Sequence, residues 1–156
     1  MSRILGYRID GVKDFGWITG GQMNAIIYTK DDMEYDLFKA ILEREARLVN
    51  LKRAQLNGHK RYDHEYDVAV IALEGAEGME VVLEYAQRFP DTKVIWVTSD
   101  PFFAGVAMRN HIYDFIQRPY EEDRLIISIR DVIERCPNRN VWRIPPGVER
   151  KKSNAV

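Results

Sequence analysis

Between Asp67 and Glu74 the chain runs Val68-Ala69-Val70-Ile71-Ala72-Leu73 without a polar side chain. A short unbroken apolar run of this kind reads as a strand buried on both faces, which requires a sheet with helices packed above and below it. Asn24-Ala25-Ile26-Ile27-Tyr28-Thr29, Lys93-Val94-Ile95-Trp96-Val97-Thr98 and Tyr113–Gln117 read the same way, and Arg47–Arg53 reads as a short second strand. Between them lie helical faces. Leu37, Phe38, Ile41 and Leu42 form the first, capped by Asp31 or Asp32, whose carboxylate accepts the free amide hydrogens of the first turn. Glu74–Gly78 reads as a flexible turn, and Met79, Val82, Tyr85, Ala86 and Phe89 mark a helix ending before Pro90. Asp100-Pro101 opens another. Leu125, Ile126, Ile129, Val132, Ile133 and Cys136 line a last one, stopped by Pro137. Strands alternating with helices predict an α/β fold with a parallel sheet covered on both faces.

A chain of 156 residues is long enough to bury a core of this kind as one domain. Net charge of −1 supplies no global field for nucleic acid or anionic lipid, and no apolar run approaches the ~20 residues of a membrane span. The N-terminus lacks the continuous apolar segment of a signal peptide, and the lone Cys136 rules out an internal disulfide and a cysteine zinc cage. A cytoplasmic location is expected. Residues 1–22 form a Gly- and aromatic-rich extension with a possible hairpin turn at Asp10-Gly11. Residues 23–137 form the domain and 138–156 a tail ending in the basic Arg150-Lys151-Lys152. Asn57–Glu65 is so polar that it reads as a loop or a poor helix, and His59, His64 and His111 have no metal-binding spacing.

The β/α order, Val97-Thr98-Ser99 and Asp114-Phe115-Ile116-Gln117-Arg118-Pro119 resemble the receiver domain of bacterial response regulators, within the CheY-like superfamily. The resemblance runs from Met23 to Cys136. It is strong from Asp67 onward and weak between Leu42 and Tyr66, where the family has a second strand and a second helix. It implies the doubly wound, flavodoxin-like sheet of five parallel strands in the order 2-1-3-4-5. It also implies an aspartate at the end of the third strand that takes a phosphoryl group, two acidic residues after the first strand that hold Mg²⁺, a switch Thr or Ser, and a Lys before a cis proline.

Carried over residue by residue, these roles fall badly. The acceptor position is Ala72, which has no nucleophilic oxygen; a shifted register would promote Glu74, close to the matching glycine, Gly78. The acidic pair falls on Thr29 and Lys30, whose ammonium repels a metal, although Asp31 and Asp32 lie one slip away. Thr98 keeps the switch hydroxyl, or serves merely as a turn or capping residue. Arg118 replaces the lysine before Pro119, exchanging a point charge for a planar fork. Arg118 is expected to pair with Glu74 or with one of the aspartates near the first strand. The resemblance is therefore to a pseudo-receiver whose fold is kept and whose phosphosite has been lost.

The leading expectation is a phosphorylation-independent regulatory module, not an enzyme, with no cofactor and no bound metal. It would meet a protein partner or a second copy through the face that the family builds from its fourth helix, fifth strand and fifth helix. Here that face draws on Phe102, Phe103, Met108, Arg109, Tyr113, Phe115, Gln117, Tyr120 and Arg124, residue types that anchor interfaces. The alternative is a small-molecule or anion site in the emptied pocket, with Lys30 and Arg118 as its cations. Membrane and nucleic-acid partners are not expected, the basic tail being too short to weigh against the overall charge.

Overall fold

The computed structural model describes residues 22–58, 62 and 64–136. The hairpin at Asp10-Gly11, the roles of the N-terminal extension and the basic tail, and His59 lie outside the described residues. The elements are β1 (Met23–Thr29), α1 (Asp32–Leu42), β2 (Leu48–Arg53), β3 (Val68–Ala72), α2 (Gly75–Arg88), β4 (Lys93–Thr98), α3 (Phe103–Arg109), β5 (Asp114–Gln117) and α4 (Glu122–Arg135). All strand pairs are parallel, in the order β2-β1-β3-β4-β5. This is the expected doubly wound sheet. The reversal of strand order places the switch point between β1 and β3, where Thr29 pairs with Ala72.

β1, β3, β4 and β5 each feed two cores, because successive side chains point to opposite faces. Ala25, Ile27, Val68, Val70, Ile95, Val97 and Ile116 meet Phe38, Ile41 and Leu42 of α1 and Leu125, Ile129, Val132 and Ile133 of α4. Ile26, Tyr28, Ala69, Ile71, Val94 and Trp96 meet Val81, Val82 and Tyr85 of α2 and Phe103, Val106 and Ala107 of α3. Burial decides why α4 is a helix despite its β-branched residues. Each costs up to about 0.7 kcal/mol in helix propensity, whereas each buried aliphatic side chain contributes roughly 1.5–3 kcal/mol.

The structure corrects three local expectations. α2 begins at Gly75, not near Met79, so the anticipated turn at Glu74–Gly78 is its first turn; the entry requires φ +64° at Gly75, open to glycine without strain. β5 begins at Asp114, one residue late, since Tyr113 turns aside to donate to Asp131. α3 starts two residues after Pro101, the intervening Phe102 amide donating to Asp100 Oδ1 at 2.9 Å. Between β2 and β3, where the sequence reads as a loop or a poor helix, no helix occurs among the described residues. Ala54, Leu56, Tyr62 and Tyr66 cover the sheet there instead. Tyr62 sets its ring edge-on to Tyr85 at 5.9 Å, and burial pushes its hydroxyl up to about 12. No helix among the described residues is long and apolar enough to cross a membrane.

Candidate functional site

The carboxyl ends of β1, β3, β4 and β5 bring Thr29, Ala72, Thr98 and Arg118 to one end of the sheet. A depression of about 410 Å³ opens there, lined by Thr29, Lys30, Asp31, Glu34, Ala72, Leu73, Glu74, Glu77 and Arg118. Arg118 follows β5 directly, its amide donating to Thr98 O at 2.9 Å, and its peptide bond to Pro119 is cis.

The guanidinium is the centre of the site. Arg118 Nη2 and Nε donate to the two oxygens of Glu34 at 2.6 and 3.2 Å, Nη1 donates to Glu74 Oε2, and Nη2 also reaches Ala72 O at 3.3 Å. A planar fork can serve two carboxylates at once where an ammonium offers only a point charge. Glu34 is buried and also accepts from Thr29 Oγ1 and Tyr120 OH, both at 2.9 Å. Burial first, then the Glu34 hydrogen bond, raises the Tyr120 hydroxyl above its ordinary value. Glu74 Oε1 accepts from Thr98 Oγ1 and the Ser99 amide, and Oε2 from Ser99 Oγ, each at 3.0 Å.

The expected pairing of Arg118 with Glu74 is present; the anticipated aspartate partner is replaced by Glu34. Asp31 Oδ1 caps α1, accepting from the Met33 and Glu34 amides at 2.9 and 3.3 Å, and Asp32 pairs with Arg53 at 2.8 Å. Lys30 is drawn to Glu77 at 2.8 Å. Thr98 is neither a cap nor a turn residue: it is fully buried at the end of β4 and aims its hydroxyl at Glu74. Glu34 and Ser99 were missed. Glu34 stands three residues after Asp31, the usual spacing of a reciprocal helix cap, and that local role masks the longer reach to Arg118.

The donor set does not suit the Mg²⁺ that receivers use. Both oxygens of Glu34 are bound to Arg118, Asp31 caps a helix, and Lys30 stands at the rim, so a divalent cation would meet a guanidinium and an ammonium.

Burial alone would raise the Glu74 carboxyl, but hydrogen bonds from the Ser99 amide and hydroxyl and from Thr98, with the Arg118 charge, bring it below its ordinary value. A depressed carboxylate stabilises the fold above its unfolded-state pKa, and that contribution disappears as pH falls through the folded-state value. Glu74→Gln is therefore expected to flatten the acid limb of stability against pH, measured by urea denaturation. The flattening is partial because Asp114, held low chiefly by Arg124 and Ser128 against the opposing effect of burial, titrates in the same direction. An acid limb identical to wild type would contradict this.

The anticipated interaction face is only partly available. Phe103 is buried, its ring 5.3 Å from Trp96, and Phe115 is half-buried with its ring 5.6 Å from Trp96. Tyr120 belongs to the Glu34 network, and Arg124 forks onto Asp114 with two bonds of 2.8 Å. Phe102 and Met108 are 70% and 78% exposed, and Arg109 and Gln117 are exposed too. Ile127 on α4, 65% exposed, was not anticipated.

No protein-family model matches the chain. A curated relative, the C4-dicarboxylate transport transcriptional regulatory protein DctD of Pseudomonas aeruginosa, is 35% identical over 69 residues, 43% of this chain, and the chain spans only about 15% of that protein's length. Among solved structures, a signal receiver domain of a two-component histidine kinase from Clostridium thermocellum superposes with a TM-score of 0.59 at 20% identity, covering 72% of this chain and 98% of that one. The response regulatory domain of MrkE from Klebsiella pneumoniae gives 0.58 at 14% identity, covering 72% and 96%. With the strand order, these matches lead to one conclusion: residues 23–136 have the fold of a response-regulator receiver domain.

Proposed function

We propose that the chain is a phosphorylation-independent, receiver-like regulatory module that acts through protein–protein contact in bacterial signal transduction and catalyses no reaction. One observation carries this reading. The strand end that would bear an acceptor carboxylate bears Ala72, while Arg118 beside it is already bound by Glu34 and Glu74. The strand end itself offers no side-chain oxygen to a phosphoryl donor, and the guanidinium that would neutralise a phosphoryl group is already paired with two carboxylates.

The same charges weigh against an anion site in this depression. Lys30 and Arg118 face Asp31, Glu34, Glu74 and Glu77, so the lining is net acidic and both cations are paired.

The contact surface is the exposed part of the α3–β5–α4 face, with Phe102 and Met108 as its apolar anchors. Sedimentation of the wild type and of Phe102→Glu/Met108→Glu, each with and without Mg²⁺ and beryllofluoride, tests this. Self-association indifferent to beryllofluoride and weakened about tenfold or more by the double variant is expected. Association only with beryllofluoride, or association that ignores the substitutions, would overturn the reading; a chain that remains monomeric would exclude a second copy as the partner.

A further inference from the structure

Four donors converge on one side chain at the head of β4. Thr98 Oγ1, the Ser99 amide and Ser99 Oγ each lie 3.0 Å from Glu74, and Arg118 Nη1 completes the set. Two hydroxyls, a backbone N–H and a guanidinium form the donor chemistry of an oxyanion site. Glu74 belongs to the segment that links β3 to α2, yet it makes no capping bond to α2. Its side chain crosses instead to the end of β4 and the residue after it, and to Arg118 just past β5, sequence separations of 24 to 44 residues.

We propose that Glu74 is a built-in ligand: its carboxylate permanently fills an oxyanion site made by Thr98, Ser99 and Arg118, and thereby holds the β4–α3 segment in one conformation. This deepens, and rests on, the reading of the domain as a regulatory module that needs no phosphoryl group. The segment so held runs from Ser99 through Asp100 to Phe102, whose amide is tied to Asp100 Oδ1 at 2.9 Å. Glu74 therefore sets the position from which the exposed Phe102 ring leaves the surface.

If the ligand is internal, the site beneath it is latent and removing the ligand exposes it. The net acidity of the depression falls by one charge, and Arg118 loses one of its two carboxylates while its amide remains tied to Thr98 O.

The test follows amide exchange and inorganic phosphate titration by NMR on the full chain, comparing wild type, Glu74→Ala and Glu74→Gln. In wild type, phosphate should produce no saturable shift at Ser99 or at Arg118 Nε. In Glu74→Ala, exchange of the Ser99 amide should rise about tenfold, as the loss of a charge-assisted hydrogen bond requires, and phosphate should give saturable shifts at both groups. Glu74→Gln keeps the shape and loses the charge, so its Ser99 exchange should fall between the two; it decides the question should the alanine variant fold poorly.

Unchanged Ser99 exchange in both variants overturns the proposal, as does a Glu74→Ala protein blind to phosphate. Saturable phosphate binding by wild type at these groups would show Glu74 to be displaceable and would also overturn it. None of these results touches phosphorylation independence, which rests on Ala72 and fails separately if wild type takes up covalent phosphate.

Discussion

Arg118→Met should destabilise the domain by about 3 kcal/mol, toward the lower end of the ~3–5 kcal/mol typical of breaking one side of a buried ion pair. Arginine and methionine share an unbranched stem, so the substitution removes the fork more than the packing. What remains is Glu34, its side chain only 8% exposed, still accepting from the hydroxyls of Thr29 and Tyr120. Arg118 is itself 23% exposed, so water partly replaces it and the loss stays below the upper limit. For a unit of this size that corresponds to a fall in Tm of roughly 10 °C or more.

The double variant Glu34→Gln/Arg118→Met should lose less than the sum of the single changes, because the uncompensated charge goes with its partner. Arg118→Lys should fall between wild type and Arg118→Met, keeping the charge without the fork that reaches both carboxylates. Urea denaturation of the wild type, the three single variants and the double variant checks all of this. A loss below about 1 kcal/mol for Arg118→Met would mean that the pair behaves as an ordinary surface salt bridge.

How far the sequence leads to this site depends on the range over which each signal acts. Val68–Leu73 and Val94–Val97 announce themselves because the middle of a strand buried on both faces has no polar position, and the structure buries every one of those side chains. Ala72, Thr98 and Arg118 were placed correctly because they stand at the ends of such strands. Glu34 was not. It sits among the acidic residues of a helix first turn, and only the three-dimensional path of β5 shows that Arg118 ends above it. Phe103 and Tyr120 were misassigned for a related reason: an aromatic side chain near a helix start or strand end looks alike in sequence whether it turns toward Trp96, toward Glu34 or toward solvent. The stretch between β2 and β3 is a different case: its loop reading agrees with the described residues, but its covering role was not legible. Tyr62 and Tyr66 cover the sheet without helical periodicity, so no local pattern distinguishes a covering loop from an exposed one.

Gly78→Ala should cost about 2–3 kcal/mol, although alanine is the better helix former by about 1 kcal/mol. A Cβ at Gly78 would lie 2.2 Å from Leu73 O and 3.0 Å from Leu73 C, both backbone atoms, and 3.4 Å from Trp96 Nε1. No side-chain rotation relieves contacts with a carbonyl, so either α2 lifts from the sheet or the end of β3 moves. Lifting α2 uncovers Trp96, whose ring is fully buried between this helix and the Phe103 and Phe115 rings. Moving the end of β3 carries Ala72 and Glu74 with it, and so strains the bonds from Thr98, Ser99 and Arg118. Gly78→Ala should therefore lower stability and raise exchange of the Ser99 amide together, a coupling that damage confined to the helix would not produce. Gly105→Ala is the matched control. Its Cβ would meet only Arg109 Nη1 at 3.4 Å, the far end of a flexible side chain, so the propensity gain should survive and stability hold or rise slightly. Equal behaviour of the two variants would mean that the close approach of α2 to Leu73 is not what positions the site.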